Sequence, residues 1–218
     1  MFGNPKRAFW QAFFLALAIF IIGILIGISF ESSRLDQINE YYTLSEISLM
    51  DSLALNKISD LKNISCTELV NYDFEFADKI YDEALLLEKY EQSGKITNSI
   101  NAAHKRYDLL RTILWINVMK TRERCQQNFS SIVYLYNYNT NDLTERAQQI
   151  VWSRILFDLK QKSGEKIVLI PISVNNEITS LKSLIDGFKI NRYPSVIINE
   201  KNILYNLTSV EDIEKYLK

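Results

Sequence analysis

The sequence predicts a three-part chain: a single N-terminal transmembrane helix, an all-α middle built as a helical hairpin or bundle, and a C-terminal α/β domain of order βαβαββα. Three observations support this prediction. A long uncharged run opens the 218-residue chain, residues 32–127 contain no proline and one glycine, and β-rich runs alternate with helical spacing after about residue 130. The net charge of −1 gives no electrostatic basis for binding nucleic acid.

The first element is the uncharged run at residues 8–30. As a helix it would extend roughly 35 Å, enough to cross a bilayer core of about 30 Å with some tilt. A removed signal peptide is the alternative, but it would have a shorter apolar core and end in small residues, whereas this run ends in Ser29-Phe30-Glu31. We therefore expect residues 8–30 to contact membrane lipid as a retained anchor.

The charges that flank this run predict its orientation. Lys6 and Arg7 precede it, so residues 1–7 are expected in the cytoplasm and residues 31–218 outside it, on a single-pass protein of the cell membrane. Gly23 and Gly27 form a GxxxG pattern, which lets two membrane helices approach closely and suggests a homodimer face. The alternative is that these glycines reflect only the general frequency of glycine in membrane helices.

Residues 31–127 are predicted to be a helical, coiled-coil-like hairpin region, with helices at about 33–61, 67–92 and 95–126. A glycine at position 94 favours a turn between the second and third helices. We expect their apolar stripes to pack against each other and the first helix, although a groove for a partner chain would show the same pattern. His104 and the carboxylates of the second helix are predicted to face solvent; these acids are Asp73, Glu75, Asp78, Asp82, Glu83 and Glu88.

The chain has two cysteines, Cys66 and Cys125, near the two ends of the predicted hairpin. Cys66 lies about 28 residues before the turn and Cys125 about 31 after it, so at equal helical rise both reach the open end. An oxidising exterior makes a disulfide between them chemically reasonable. A redox-active pair is the alternative, since Cys66 begins a helix and Cys125 follows two arginines.

The remaining motifs suggest modification rather than catalysis. Asn63, Asn128 and Asn206 each begin an N-x-S/T triplet, the acceptor pattern for N-glycosylation. His104 is the sole histidine, so neither a zinc site of several His and Cys ligands nor a plausible catalytic triad can be assembled. We predict no catalytic residues, no metal ligands and no cofactor, and consider enzymatic activity the less favoured interpretation.

Residues 128–218 are predicted to form the α/β domain. Apolar β-rich runs mark four strands, and helical spacing marks three helices between or after them. The first two strands should be parallel, joined by a right-handed helical crossover, and the last two should form a hairpin. Strands that are apolar on both faces predict helices on both sides of the sheet. The strands are expected at 131–136, 166–174, 195–199 and 203–207, and the helices at 143–162, 177–188 and 210–218.

This order resembles the thioredoxin fold over about residues 130–218. The most specific passage is FKINRYPSVII at residues 188–198, similar to the stretch in which that family places a cis proline before its third strand. The resemblance implies a cis bond between Tyr193 and Pro194. It also implies that Tyr193, Pro194 and Ser195 can bind an extended peptide by strand addition. The alternative is that the fold serves only as a compact spacer or assembly module.

The sequence departs from the family at the catalytic motif. Active thioredoxins carry Cys-x-x-Cys after the first of these strands, where a helix N-terminus stabilises a thiolate. Here residues 138–143 read YNTNDL, and no cysteine follows Cys125. We therefore predict a membrane-anchored, extracytoplasmic binding or scaffold protein with a redox-inactive thioredoxin-like domain and a protein or peptide partner. The alternative is a membrane-tethered thiol–disulfide oxidoreductase or folding factor that uses Cys66 and Cys125.

Overall fold

The structure, a computed structural model, describes residues 5–61, 65–92, 98–125 and 129–217. The chain divides into two compact units, residues 1–44 and 45–218. The first helix is α1 (Pro5–Leu61). It includes Phe9–Ser29, a segment of 21 residues that is long and apolar enough to cross a membrane. The predicted N-terminal apolar helix is therefore present, and its orientation stays a prediction.

Helices α2 (Cys66–Gln92) and α3 (Asn98–Cys125) form the helical middle. They are antiparallel, because the first residue of α2 is bonded to the last residue of α3 and Asp73 on α2 contacts Asn117 on α3. The predicted turn at Ser93 and Gly94 lies outside the described residues. Apolar residues at three- and four-residue spacing line the contact, and the buried ones are Leu69, Phe76, Ile80 and Leu87 on α2 and Tyr107, Leu110, Leu114 and Val118 on α3.

The C-terminal part is a mixed four-stranded sheet with helices. Its elements are β1 (Ser130–Tyr136), α4 (Leu143–Ser163), a 3-10 turn (Gly164–Lys166), β2 (Ile167–Ser173), α5 (Thr179–Gly187), β3 (Ser195–Ile198), β4 (Asn202–Leu204) and α6 (Val210–Glu214). The strand order is β2-β1-β3-β4, with β1 parallel to β2 and the other pairs antiparallel. The predicted parallel pair and terminal hairpin are thus both present. The Tyr193–Pro194 bond is cis, as the sequence passage predicts.

One face of the sheet packs against α4 and α6. Successive residues of a strand point to opposite faces, so alternate strand residues enter this core. They meet Trp152, Leu156 and Leu159 from α4 and Ile213 from α6, and the strand residues in the cluster are Ile132, Tyr134, Ile167, Val196 and Ile198.

The opposite face lies towards α3 and α5. Val133, Leu135, Ile170, Ile172 and Ile197 point to this side and are buried. Trp115 of α3 is fully buried and stacks on Phe188, just after α5, with ring centroids 5.4 Å apart. Sequence reasoning expected α3 to pack against α2 and the first helix. The structure shows α3 packed against α2 and against the sheet, and its packing on the first helix stays a prediction. The predicted domain boundary near residue 127 therefore falls within one compact unit.

Candidate functional site

The predicted disulfide between Cys66 and Cys125 is present, with the two Cα atoms 5.5 Å apart. Both cysteines are partly exposed at the open end of the hairpin. Ser65 and Glu68 form a capping box beside Cys66: Ser65 Oγ accepts from the Glu68 N–H at 3.3 Å, and the Ser65 N–H donates to Glu68 Oε2 at 3.3 Å. These bonds occupy backbone donors at the N-terminus of α2.

Asp73 is buried between α2 and α3, so its predicted place on the solvated face of α2 is wrong. Its Oδ1 accepts a hydrogen bond of 2.8 Å from Asn117 Nδ2, and its Oδ2 has no hydrogen-bond partner within the described part of the chain. Burial raises the pKa of Asp73 to about 6, against the lowering effect of the neighbouring Thr121 and Asn117 side chains. The hairpin interface therefore contains a carboxyl group that gains or loses a proton in mildly acidic solution.

A polar cluster joins the end of α3 to the turn between β3 and β4. Arg122 Nη1 donates to Glu200 Oε2 at 2.6 Å and to Ser131 Oγ at 3.0 Å. The Ser131 hydroxyl donates to Glu200 Oε1 at 2.6 Å, and Trp115 Nε1 reaches the same oxygen at 3.3 Å. Because Arg122 and Glu200 are both largely buried, this pair fixes the hairpin to the sheet rather than forming an open binding site.

The carboxyl edge of β1 and β2 is where the thioredoxin resemblance implies a site. Here the N-terminus of α4 is capped by Asp142, whose carboxylate accepts from the N–H groups of Thr144 at 2.8 Å and Glu145 at 3.2 Å. Glu145 in turn accepts from Asn137 at 2.5 Å and from Thr140 at 2.7 Å. The backbone donors that would stabilise a thiolate thus already have carboxylate partners.

The same edge is in contact with α3. Asp108 is buried and accepts hydrogen bonds from the Ser173 N–H at 3.1 Å and from Asn176 Nδ2 at 2.5 Å. Burial raises the pKa of Asp108, against the neighbouring Arg111 and these hydrogen bonds. The ring of His104, predicted to face solvent, is instead partly buried with its centroid 4.4 Å from that of Tyr138. Helix α3 therefore contacts the loops that follow both β1 and β2.

The predicted peptide-binding residues also lie at this edge, because Ser195 pairs with Leu135 near the end of β1. Tyr193 is partly exposed, whereas Pro194 and Ser195 are buried. Ser195 Oγ has no hydrogen-bond partner among the described residues. Burial, with Asp186 and Tyr205 nearby, raises the pKa of Tyr193. The accessible part of this predicted surface is thus the side chain of Tyr193.

The other predicted sites lie apart from this edge. A side chain at Gly23 or Gly27 would meet nothing within 4 Å, so their face of α1 is open. Asn206 is exposed in the loop after β4, and Asn63 and Asn128 lie outside the described residues. Within the described ranges, no group of three or more His, Cys, Asp and Glu side chains could hold a metal ion.

Sequence reasoning missed three side chains that connect these regions: Asp73, Asp108 and Trp115. Asp73 had a signal, because Leu69, Asp73, Phe76 and Ile80 follow the four-three spacing of a buried stripe. Asp108 and Trp115 gave no signal of what contacts them, because their partners lie 65 and 85 residues away in the chain. The chain matches no protein-family model, no curated protein and no solved structure.

Proposed function

We propose that this chain is a membrane-tethered, extracytoplasmic binding or scaffold protein whose C-terminal region is a thioredoxin-like fold without thiol chemistry. The observation that carries the proposal is the capped N-terminus of α4, where the Asp142 carboxylate accepts from the N–H groups of Thr144 and Glu145, the donors that a redox dithiol would need. No cysteine lies at that edge, and the two in the chain are bonded to each other in the hairpin.

The thioredoxin-like part of the proposal rests on two features of the sheet. Its strand order is β2-β1-β3-β4 with β3 and β4 antiparallel to β1 and β3, respectively, and Pro194 immediately precedes β3. In a thioredoxin-like fold the backbone beside this proline can pair with an extended peptide. Tyr193 is the partly exposed residue at that position. The partner is accordingly a protein segment outside the cytoplasm. The GxxxG spacing of Gly23 and Gly27 supports a homodimer or a place in a larger membrane complex.

Thiol trapping on the full chain in membranes tests the absence of redox function. Cys66 and Cys125 are expected to stay bonded across a graded thiol buffer. The chain should reduce a disulfide-containing test protein no faster than the matched Cys66→Ser/Cys125→Ser variant does. Acceleration that disappears in this variant would instead establish the oxidoreductase alternative.

A photo-crosslinking amino acid at Tyr193 tests the binding role. In intact membranes it should give an adduct with another polypeptide. The matched control is the same group at Lys182, exposed on α5. Equal labelling at both positions, or none at Tyr193, would contradict a binding role for this edge.

Protease added to intact cells tests the orientation. Removal of residues 31–218 is expected without lysis. A glycan on Asn206 in a host that glycosylates exported proteins would report the same side of the membrane. Protection of the C-terminal region until the membrane is opened would overturn the extracytoplasmic assignment.

A further inference from the structure

Helix α4 has a second apolar face that the sheet does not cover. Trp152, Leu156 and Leu159 are buried in the core, whereas Leu143, Ile150 and Phe157 are 79%, 65% and 50% exposed. These three residues are spaced seven apart and therefore lie along one side of the helix. An aligned row of large apolar side chains in water indicates a contact surface rather than chance exposure.

The polar residues of this face are mainly basic. Arg146 and Arg154 are exposed and lie between the three apolar residues on the same side of the helix, with Asp158 at the margin. A partner for this face therefore needs apolar side chains flanked by carboxylates.

The outer face of α2 has that chemistry. Glu75, Asp78 and Asp82 are exposed there, with one intervening lysine, Lys79, that pairs with Glu75 at 3.0 Å. Two large apolar side chains, Tyr81 and Leu85, are exposed on the same side of the helix as these acids. This face carries net negative charge where the face of α4 carries positive charge.

The spacings of the two faces also agree. Arg146 and Arg154 are about 12 Å apart along a helix, and Glu75 and Asp82 about 10 Å. Aligning the two helices therefore brings the two arginines against the acids.

We infer that the outer face of α4 in one copy of this chain binds the outer face of α2 in a second copy. The two faces differ, so the contact is heterologous: each copy keeps one unused face, and the assembly grows into a ring or a row. Copies held in one membrane meet at high effective concentration, which lets a modest interface be occupied.

Charge-reversal substitutions in the full chain, studied in detergent, test this inference. Arg146→Glu/Arg154→Glu makes both faces acidic, and Glu75→Lys/Asp82→Lys makes both faces basic. Each variant should self-associate about tenfold more weakly than the native chain, or not at all, by sedimentation equilibrium. Mixing the two should restore association, because each then offers the charge that the other lacks.

Two further measurements keep the test decisive. The matched control, Lys105→Glu/Lys182→Glu, reverses two exposed charges elsewhere and should associate as the native chain does. A photo-crosslinking group at Ile150 should give adducts with the α2 peptide of another copy. A native chain that stays monomeric, Ile150 adducts that survive both reversals, failure to recover those adducts on mixing, or adducts only with lipid or another protein would each overturn the inference.

Discussion

The sheet region and the α2–α3 hairpin are held together by different means. The core between the sheet and α4 is made of apolar side chains apart from the hydroxyl of Tyr134 and the indole nitrogen of Trp152. Among the buried polar groups of this region, Asn199 accepts from the Ser131 N–H and donates to Ser130 Oγ, whereas Trp152 Nε1 and Ser195 Oγ have no partner among the described residues. This region is stabilised mainly by removing apolar surface from water.

The hairpin interface is more polar. Along the contact between α2 and α3 lie Asp73, Asn117 and Thr121, all buried, and one Asp73 oxygen has no hydrogen-bond partner in the described part of the chain. A buried polar atom without a partner costs roughly 1–3 kcal/mol. The disulfide and the contacts of α3 with the sheet offset this cost. The comparison teaches that the hairpin depends on its bridge, whereas the sheet depends on its packing.

The largest effect on stability is expected from removing the disulfide. Replacing Cys66 and Cys125 by alanine should lower the free energy of opening the hairpin by up to about 4 kcal/mol, the loop-entropy value for about 60 residues. Hydrogen exchange should show lost protection at the start of α2 and the end of α3, while amides of β1 and β3 keep theirs. Equal loss in both regions would contradict a separate dependence on the bridge.

A cavity-creating substitution in the sheet core tests whether that region is stabilised by apolar packing. Leu156 is 2% exposed, so Leu156→Ala should destabilise the chain by about 3 kcal/mol through lost burial and the cavity left behind. Gln148→Ala, at an exposed position of the same helix, should change stability by less than about 0.5 kcal/mol. Denaturant unfolding with the disulfide intact measures both, and similar costs would contradict the assignment of this face to the core.

A pH profile tests the buried carboxyl of the hairpin. Between its ordinary pKa of 3.8 and about 6, Asp73 holds a proton in the folded state that the unfolded state has lost. The free energy of unfolding therefore falls as pH rises through this window, by up to about 3 kcal/mol. Asp73→Asn cannot ionise, so it should reduce this slope to the part contributed by the buried Asp108, and it should be more stable than the native chain at pH 7.5.

The control for this profile is Asp78→Asn, which removes an exposed carboxylate from the same helix. Thermal unfolding at several pH values between 4 and 8 supplies the comparison. If both substitutions flattened the profile equally, burial of Asp73 would not be the cause of the slope.

Sequence patterns were enough to predict the secondary structure and the cysteine pairing because both depend on spacing along the chain. The predicted strand at residues 195–199 corresponds to β3, and similar distances from the predicted turn indicated the pairing of Cys66 with Cys125. Period-two and period-3.6 patterns report which residues are buried but not what buries them. The docking of α3 on the sheet was missed for that reason, since Trp115 has the same apolar signal whichever partner covers it.

Residue type misled the prediction in two places. Asp73 was assigned to solvent because carboxylates are rarely buried, although its helical position belongs to the apolar stripe. His104 was assigned to solvent because charged residues follow it, and its contact with Tyr138 joins elements far apart in sequence. At the carboxyl edge of the sheet, the sequence indicated a missing dithiol, but the arrangement of carboxylates in its place depends on the folded loop.

The smallest effect on stability is expected at the carboxyl edge of β1 and β2. Asp142→Ala removes the cap of α4 and should cost about 1 kcal/mol, with faster hydrogen exchange at Thr144 and Glu145, whose N–H groups lose their acceptor. Asn141→Ala, the neighbouring exposed substitution, should leave these two amides unchanged. Because the cap belongs to the sheet region, the hairpin amides should keep their protection in both variants. Loss of protection in α2 or α3 would mean that this edge supports the hairpin, and the two regions would then have to be treated as one.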